Sequence, residues 1–428
     1  MDKPATYIIG VVIAVAALGA PESRAEITAE AAGERTQVDR LYYYDDGQVV
    51  VNRLRESGLK LSDVWPGLFA SQVIFADTLT VFDDFGKRLN EFTGDAGTPG
   101  SSFIYTHAAA APYYYKSEHC SEWGESFFGG VPNAGGAYFA NSGEMLWREE
   151  GQAGIVCVSP TGERVAYIYD QEAPTPNILI RDKLGNVAGT ARVENPGRLF
   201  NFTGDGEYLL IGEYPLNATR RGTAVFDKNA HLLFHMDANF DAAVSGIRII
   251  LGGGNGYFFQ GGIKTKPVKN RGDAVPPERL FDRGYFIQAY DLTGKMVWES
   301  PPIPLDCQLI ATSSNGILLG YHTRSPEDVI AVVELASGEP IRSFPISSVY
   351  SNKRYPYLSL ADDGSRCCVS TSERSLAAGL YGPSGLMVSF RGDKLGAFYL
   401  TPDGRFVVFC GERTLAVFEI TQIQPPEK

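Results

Sequence analysis

The stretch YFIQAYDLTGKMVWES, Tyr285 to Ser300, decides the fold. Tyr285, Ile287 and Ala289 alternate with Phe286, Gln288 and Tyr290, which sends successive side chains to opposite faces of a strand. Asp291-Leu292-Thr293-Gly294 then places a carboxylate acceptor at the start of a type I turn and a glycine where the chain must reach positive φ, the pattern of a hairpin with a glycine bulge. Lys295 to Ser300 returns as the partner strand.

The same turn recurs between aromatic or β-branched runs at DDFG (Asp83 to Gly86), ANSG (Ala140 to Gly143), DKLG (Asp182 to Gly185), LASG (Leu335 to Gly338) and GPSG (Gly382 to Gly385), and DKNA (Asp227 to Ala230) is a copy without its glycine. A second turn alternates with it: SPTG (Ser159 to Gly162), TGDG (Thr203 to Gly206), GGNG (Gly253 to Gly256), SSNG (Ser313 to Gly316), ADDG (Ala361 to Gly364) and TPDG (Thr401 to Gly404). From Gly162 to Gly206 is 44 residues, and the next intervals are 50, 60, 48 and 40. Two hairpins per period make one four-stranded blade, and so small a sheet buries its faces only by stacking on its neighbours. The expected fold is therefore an all-β propeller of four-stranded antiparallel blades. Eight blades are favoured, with seven as the alternative if the N-terminal hairpin is a decoration.

The repeat makes one large domain of the 428 residues, and 47 glycines and 25 prolines fit many short strands joined by tight turns. A formal charge of -12 argues against a nucleic-acid surface, because binding phosphates requires Lys and Arg to neutralise them. At the start, Lys3 precedes the apolar run Tyr7 to Ala20, which is short for a bilayer span and matches the hydrophobic region of a secretory signal. Ser23 and Ala25 supply small residues for cleavage after Ala25, so residues 1–25 are expected to be a signal peptide and the protein to be exported, to a periplasmic, extracellular or envelope-associated site. No integral span is expected after cleavage; a retained short anchor is the alternative. Residues 26–40 read as a polar leader, 41–421 as the propeller and 422–428 as a tail.

Six cysteines remain after cleavage: Cys120, Cys157, Cys307, Cys367, Cys368 and Cys410. An oxidising compartment permits disulfides, and sequence alone does not choose among their connectivities. Cys157, Cys368 and Cys410 lie in apolar strands, where cysteine acts as a small buried hydrophobe. Cys367 and Cys368 are strand neighbours and so point to opposite faces.

The hairpin Leu41 to Leu54, LYYYDDGQVVVNRL, has a use at the other end of the chain. Phe398 to Ile420 supplies about three strands of a blade, and the N-terminal segment is expected to donate the missing one and close the ring. Leu68 to Phe92 reads as the first blade and Ser102 to Glu149 as the second. Two insertions interrupt the rhythm. Gly94 to Ala137 carries Tyr113, Tyr114, Tyr115, His119 and Trp123; Ile263 to Gly284 is a basic, Pro-rich loop with Lys264, Lys269 and Arg271. Binding residues concentrate on loops held by a rigid scaffold, and Tyr, Trp and Arg dominate interface energetics, so these eight are the candidate binding residues.

His107, Glu118, His119, Cys120, Glu122 and Trp123 offer imidazole, thiolate and carboxylate groups, but their spacing matches no metal-ligand pattern; the alternative is a polar loop with Cys120 in a disulfide. His231 and His235 in HLLFH lie on a strand, where about 13 Å separates their Cα atoms, too far for one metal. His322 in GYHTR reads as a surface residue. LGGGNGYFFQGG, Leu251 to Gly262, lacks the Lys-Ser/Thr ending of a phosphate loop and reads as a hairpin turn.

AYDLTGKMVWES (Ala289 to Ser300) and ANSGEMLWRE (Ala140 to Glu149) resemble the repeat of PQQ-like propellers, in which a strand ends in A-x-D, the turn carries T/S-G-K/E and the return strand bears Trp. SPTGERVAYI and TPDGRFVVFC resemble instead the turns of WD40-like bacterial propellers. PQQ-like repeats occur in pyrroloquinoline-quinone dehydrogenases and in cofactor-free scaffolds such as the outer-membrane assembly lipoprotein. The resemblance favours the cofactor-free branch, so neither cofactor nor metal is expected. The expected function is an exported, non-enzymatic scaffold that binds a protein, glycan or small ligand through one face of its disc. The alternative is an exported enzyme, a quinoprotein-like oxidoreductase or a hydrolase or lyase, with its site at the central channel. The catalytic residues and the oligomeric state stay open.

Overall fold

A computed structural model of the chain describes residues 26–33, 35–64, 78–93, 102–107, 113–120, 136–140, 144–149, 155–168, 177–193, 196–213, 222–236, 250–267, 281–303, 310–323, 328–346, 356–371, 376–392, 396–411 and 414–422. Among them are eight antiparallel sheets, seven of four or five strands and one of two. The one helix is a single turn, Leu61–Val64, and no helix among the described residues is long and apolar enough to cross a membrane.

The five four-stranded sheets are built in chain order, as in Ile155–Val158, Arg164–Ile168, Ile178–Asp182 and Val187–Ala191, and each five-stranded sheet adds N-terminal residues to strands that are otherwise in chain order. The first strand of each sheet packs beside the first strand of the next, from Ser102–His107 through Ile155–Val158, Pro196–Phe202, Ile250–Gly254, Ile310–Thr312 and Pro356–Leu360 to Gly396–Leu400. Sheets stacked around their innermost strands are the blades of a β-propeller. The inner pair of strands expected for the first blade, before Thr78–Phe82, lies outside the described residues.

Both repeated turns form as their residues require. In the first type the aspartate carboxylate accepts from backbone N–H groups two and four residues on: Asp83 from Phe85 and Lys87, Asp182 from Leu184 and Asn186, Asp227 from Asn229 and His231, Asp291 from Thr293 and Lys295. The Thr293 hydroxyl, with those backbone donors, holds the Asp291 carboxyl below the ordinary carboxylate range. Ala230, where the glycine is missing, still adopts φ 66°. A left-handed alanine costs about 1–2 kcal/mol, and its methyl, buried in the core between two blades, recovers roughly 0.8 kcal/mol.

The second turn type stitches neighbouring blades together near the axis. Asn255 N–H donates to the Asp205 carboxylate at 3.0 Å, and the Asn255 amide donates to the Asn315 carbonyl. Ser314 Oγ and Asn315 N–H both donate to Asp362, whose own N–H donates to the Pro402 carbonyl. Five successive blades are thereby linked through their inner turns.

On the outside, an aromatic ring from several of the fourth strands covers the turn glycine of the following blade. Trp147 lies on Gly185, Phe234 on Gly294 and Trp298 on Gly338, and Trp298 Nε1 also donates to the Leu335 carbonyl at 2.7 Å. Tyr42 makes the same contact on Gly86, donating its hydroxyl to the Gly86 carbonyl at 2.7 Å. Tyr42 belongs to Thr36–Asp45, which pairs with Thr414–Gln422 and so stands as the fourth strand of the C-terminal sheet, with Gln48–Asn52 as a fifth. The N-terminal hairpin therefore joins the last sheet and touches the first described one.

The reading of residues 26–40 as a polar leader is corrected here. Thr28–Ala31 is an added strand on Gly385–Gly392, and residues 36–40 begin the strand that pairs with Thr414–Gln422. Ile27 is fully buried beneath that sheet, and Arg40 secures the segment through an ion pair with Glu26 and a hydrogen bond to the Ile27 carbonyl. A short polar segment has too little apolar surface to reveal such pairing.

Cys367 and Cys368 enter different hydrophobic clusters, as strand alternation requires. Among the described residues Cys157, Cys367 and Cys368 are buried free thiols. Burial raises all three pKa values well above the ordinary thiol range, to about 12 at Cys368. A thiol reagent added to the native protein at pH 8 is expected to leave all three unlabelled and to modify them once the chain is denatured; labelling of any of them in the native state would contradict the packing.

Candidate functional site

The longest strands build the most distinctive feature. Tyr257–Pro267 and Phe281–Asp291, 11 residues each, pair in unbroken register from Tyr257 with Asp291 to Pro267 with Phe281. The inner neighbour Ile250–Gly254 follows only as far as Gly261, and the outer neighbour Met296–Glu299 reaches Gln288, with one further bridge from Ile303 to Tyr285. Six further pairs, beginning with Gly262 and Phe286, form a two-stranded ribbon that runs about 20 Å beyond the four-stranded part of the blade. Lys264 stands opposite Gly284, Thr265 opposite Arg283 and Lys266 opposite Asp282. Three cations against one carboxylate make the ribbon basic on a chain of net charge -12.

The insertion expected as a loop from Ile263 to Gly284 is thus partly strand. Lys264 sits on the ribbon, while Lys269 and Arg271 lie outside the described residues. The first insertion is corrected in the same way. Ser102–His107 and Tyr113–Cys120 are paired strands, so Tyr113, Tyr114, Tyr115 and His119 belong to a blade and not to a loop; Trp123 lies outside the described residues. Tyr113 to Tyr115 pair with Tyr138 to Ala140. The structure does not bring the tyrosines and Lys264 together: they occupy different blades, separated by the sheets of residues 155–191 and 196–236. What they share is direction, since Cys120 and Pro267 both end a second strand and leave their sheets at the end opposite the two repeated turns.

A buried polar chain lies under the ribbon. Thr223 Oγ1 donates to Gln260 Oε1 at 3.1 Å, Gln260 Nε2 donates to the Tyr290 hydroxyl at 2.9 Å, that hydroxyl donates to Gln288 Oε1 at 2.9 Å, and Gln288 Nε2 donates to Glu299 Oε2 at 2.7 Å. Every donor points the same way, toward the Glu299 carboxylate, so each bond polarises the next. Gln260 and Gln288 are direct cross-strand partners at the last position where all four strands of the blade are paired. The chain crosses from the preceding blade at Thr223 to the outer strand at Glu299. Sequence reasoning passed over Gln260 and Gln288, although a glutamine inside the apolar runs YFFQGG and YFIQAY was a visible signal.

The histidines do not converge. His231 is on a turn, its Nδ1 2.9 Å from Asp227 Oδ2, and His235 is on the adjoining strand. His322, expected at the surface, is buried, with Nε2 2.6 Å from Asp328 Oδ1 beside the next strand of its own blade. Among the described residues no three His, Cys, Asp or Glu side chains are grouped to hold a metal ion. The described innermost strands contain no Asp or Glu, and their only formally charged or imidazole residues are His107 and Arg198.

No family model matches the chain, and no curated protein matches it. Among solved structures it is similar to BamB from Moraxella catarrhalis, with 11% sequence identity and a TM-score of 0.47 over 90% of this chain and 98% of that one.

Proposed function

We propose that this protein is an exported, non-enzymatic scaffold that binds a partner protein through the face from which the ribbon projects. The observation that carries the reading is the ribbon itself, a basic two-stranded extension anchored by a buried polar chain on an otherwise acidic molecule. A rigid, pre-ordered element loses little conformational entropy on binding, and its charge selects an acidic partner surface. Export rests on the apolar run Tyr7 to Ala20 followed by Ser23 and Ala25. We take the eight sheets as eight blades of a closed ring, supported by the repeated aromatic-on-glycine contact from Trp147, Phe234, Trp298 and Tyr42.

A photo-crosslinking residue at position 264, used in the native envelope, identifies the partner by mass spectrometry. The Lys264→Glu/Lys266→Glu double variant is then expected to weaken binding to the purified partner by about tenfold or more, chiefly at low salt, with an unchanged circular dichroism spectrum. A partner that crosslinks only from the opposite face, or binding indifferent to both reversals, refutes the proposal.

A further inference from the structure

The chain contains two Asn-Gly pairs, Asn255-Gly256 and Asn315-Gly316, and both lie in the inner turns that stitch adjacent blades. In this dipeptide the glycine nitrogen, with no side chain on its own Cα to hinder it, can attack the asparagine side-chain carbonyl carbon and close a five-membered succinimide. By sequence the two pairs are equivalent. The structure separates them.

Asn315 is restrained at every atom the reaction uses. Its Oδ1 accepts from Ser313 Oγ at 2.7 Å and from the Ile317 N–H at 3.0 Å, which ties the amide group back onto its own turn. Its Nδ2, the leaving group, donates to the Asp362 carbonyl at 3.4 Å. The nucleophile is engaged as well, since the Gly316 N–H donates to the Ser313 carbonyl at 3.0 Å and Gly316 is buried.

Asn255 is exposed and sits in a two-residue turn between the paired residues Gly254 and Tyr257. With φ 51° at Asn255 and 76° at Gly256, this is the doubly positive geometry of a type I′ turn, which favours Asn-Gly. Among the described residues neither the Gly256 N–H nor Asn255 Oδ1 has a hydrogen-bond partner. A single bond, from Nδ2 to the Asn315 carbonyl, holds the side chain.

We propose that Asn255 is a modification site, at which the folded protein converts the side-chain amide into aspartate or isoaspartate and thereby unfastens two blades. Hydroxide from solvent takes the Gly256 N–H proton, the nitrogen bonds to Asn255 Cγ, and the Cγ–Nδ2 bond breaks, with water supplying the proton on the departing ammonia. Water then adds to one of the two succinimide carbonyls. Opening at Cγ leaves aspartate; opening at the backbone carbonyl leaves isoaspartate, whose main chain runs through Cβ and Cγ. Neither product offers the Asn315 carbonyl a side-chain donor. Both place a new carboxylate beside Asp205, which already accepts the Asn255 N–H at 3.0 Å. Isoaspartate also lengthens the backbone where there is no room, because a Cβ on Gly254 would lie 2.6 Å from the Gly316 Cα.

The test incubates the full chain in mildly alkaline buffer made with heavy-oxygen water, once native and once in guanidinium chloride. Trypsin places the two pairs on separate peptides, and fragmentation in the mass spectrometer distinguishes isoaspartate from aspartate. In the native protein Asn255 is expected to take up the label about tenfold or more faster than Asn315, and in guanidinium, where the bonds that restrain Asn315 are gone, at a similar rate. Equal native rates, a faster Asn315, or an Asn255 that reacts only after denaturation overturns the site. The Asn255→Asp variant is expected to unfold at a lower urea concentration than the wild type, with a deficit that shrinks as salt screens the two carboxylates. An unchanged midpoint overturns the unfastening.

Discussion

Tyr42→Ala is expected to remove about 3–5 kcal/mol of stability, the range for deleting a buried large aromatic side chain. Tyr42 is fully buried, meets Phe82 edge-on at 6.0 Å between ring centres and covers Gly86. Its hydroxyl donates to the Gly86 carbonyl, and burial pushes its pKa up, so it remains a neutral donor across the working pH range. The residue is also a junction: its strand belongs to the last sheet, and the turn it covers belongs to the first described one. Urea unfolding followed by tryptophan fluorescence should show a markedly lower midpoint for the alanine variant. Tyr42→Phe, which loses only the hydrogen bond, should fall by about 1 kcal/mol. Equal midpoints for wild type and Tyr42→Ala would mean that the two sheets do not depend on this contact.

Gly316→Ala is expected to cost about 2–4 kcal/mol, from two separable causes. At φ 68° an alanine is strained by about 1–2 kcal/mol. Its methyl would also lie 2.5 Å from the Gly254 Cα of the adjacent blade, against backbone that has no rotamer to yield. The two turns are tied together by the Asn255 amide on the Asn315 carbonyl, so neither withdraws alone. Gly47 is the control. It has φ 88° with nothing near its missing Cβ, so Gly47→Ala isolates the conformational cost and should lose only about 1–2 kcal/mol. If the two variants unfold at the same urea concentration, the close approach of the inner turns carries no energy.

The candidate site was less legible than the fold. Tyr113 to Tyr115 drew attention as an aromatic cluster, and aromatic residues are equally the residues of strands; their pairing with Tyr138 to Ala140 shows the latter role. The basic segment was legible as charge but not as a ribbon, because the register from Gly262 to Pro267 depends on Phe281 to Phe286 across a long interruption. Gln260 and Gln288 become meaningful only as cross-strand partners, and His322 only once folding buries it against Asp328.

The sequence by itself determined the hairpins, the turn types, the blade period and the joining of an N-terminal strand to the last sheet. These rest on local chemistry: alternation along a strand, an aspartate that caps its own turn, a glycine at positive φ. Only the tertiary structure decided that residues 28–31 and 36–40 are strands. It alone put Tyr42 against Gly86. Those outcomes depend on partners far away in the chain, as when Asp45 accepts a hydrogen bond from Thr414, 369 residues on. A polar segment that completes a remote sheet carries its backbone donors and acceptors but little apolar pattern, and backbone groups are the same in every residue.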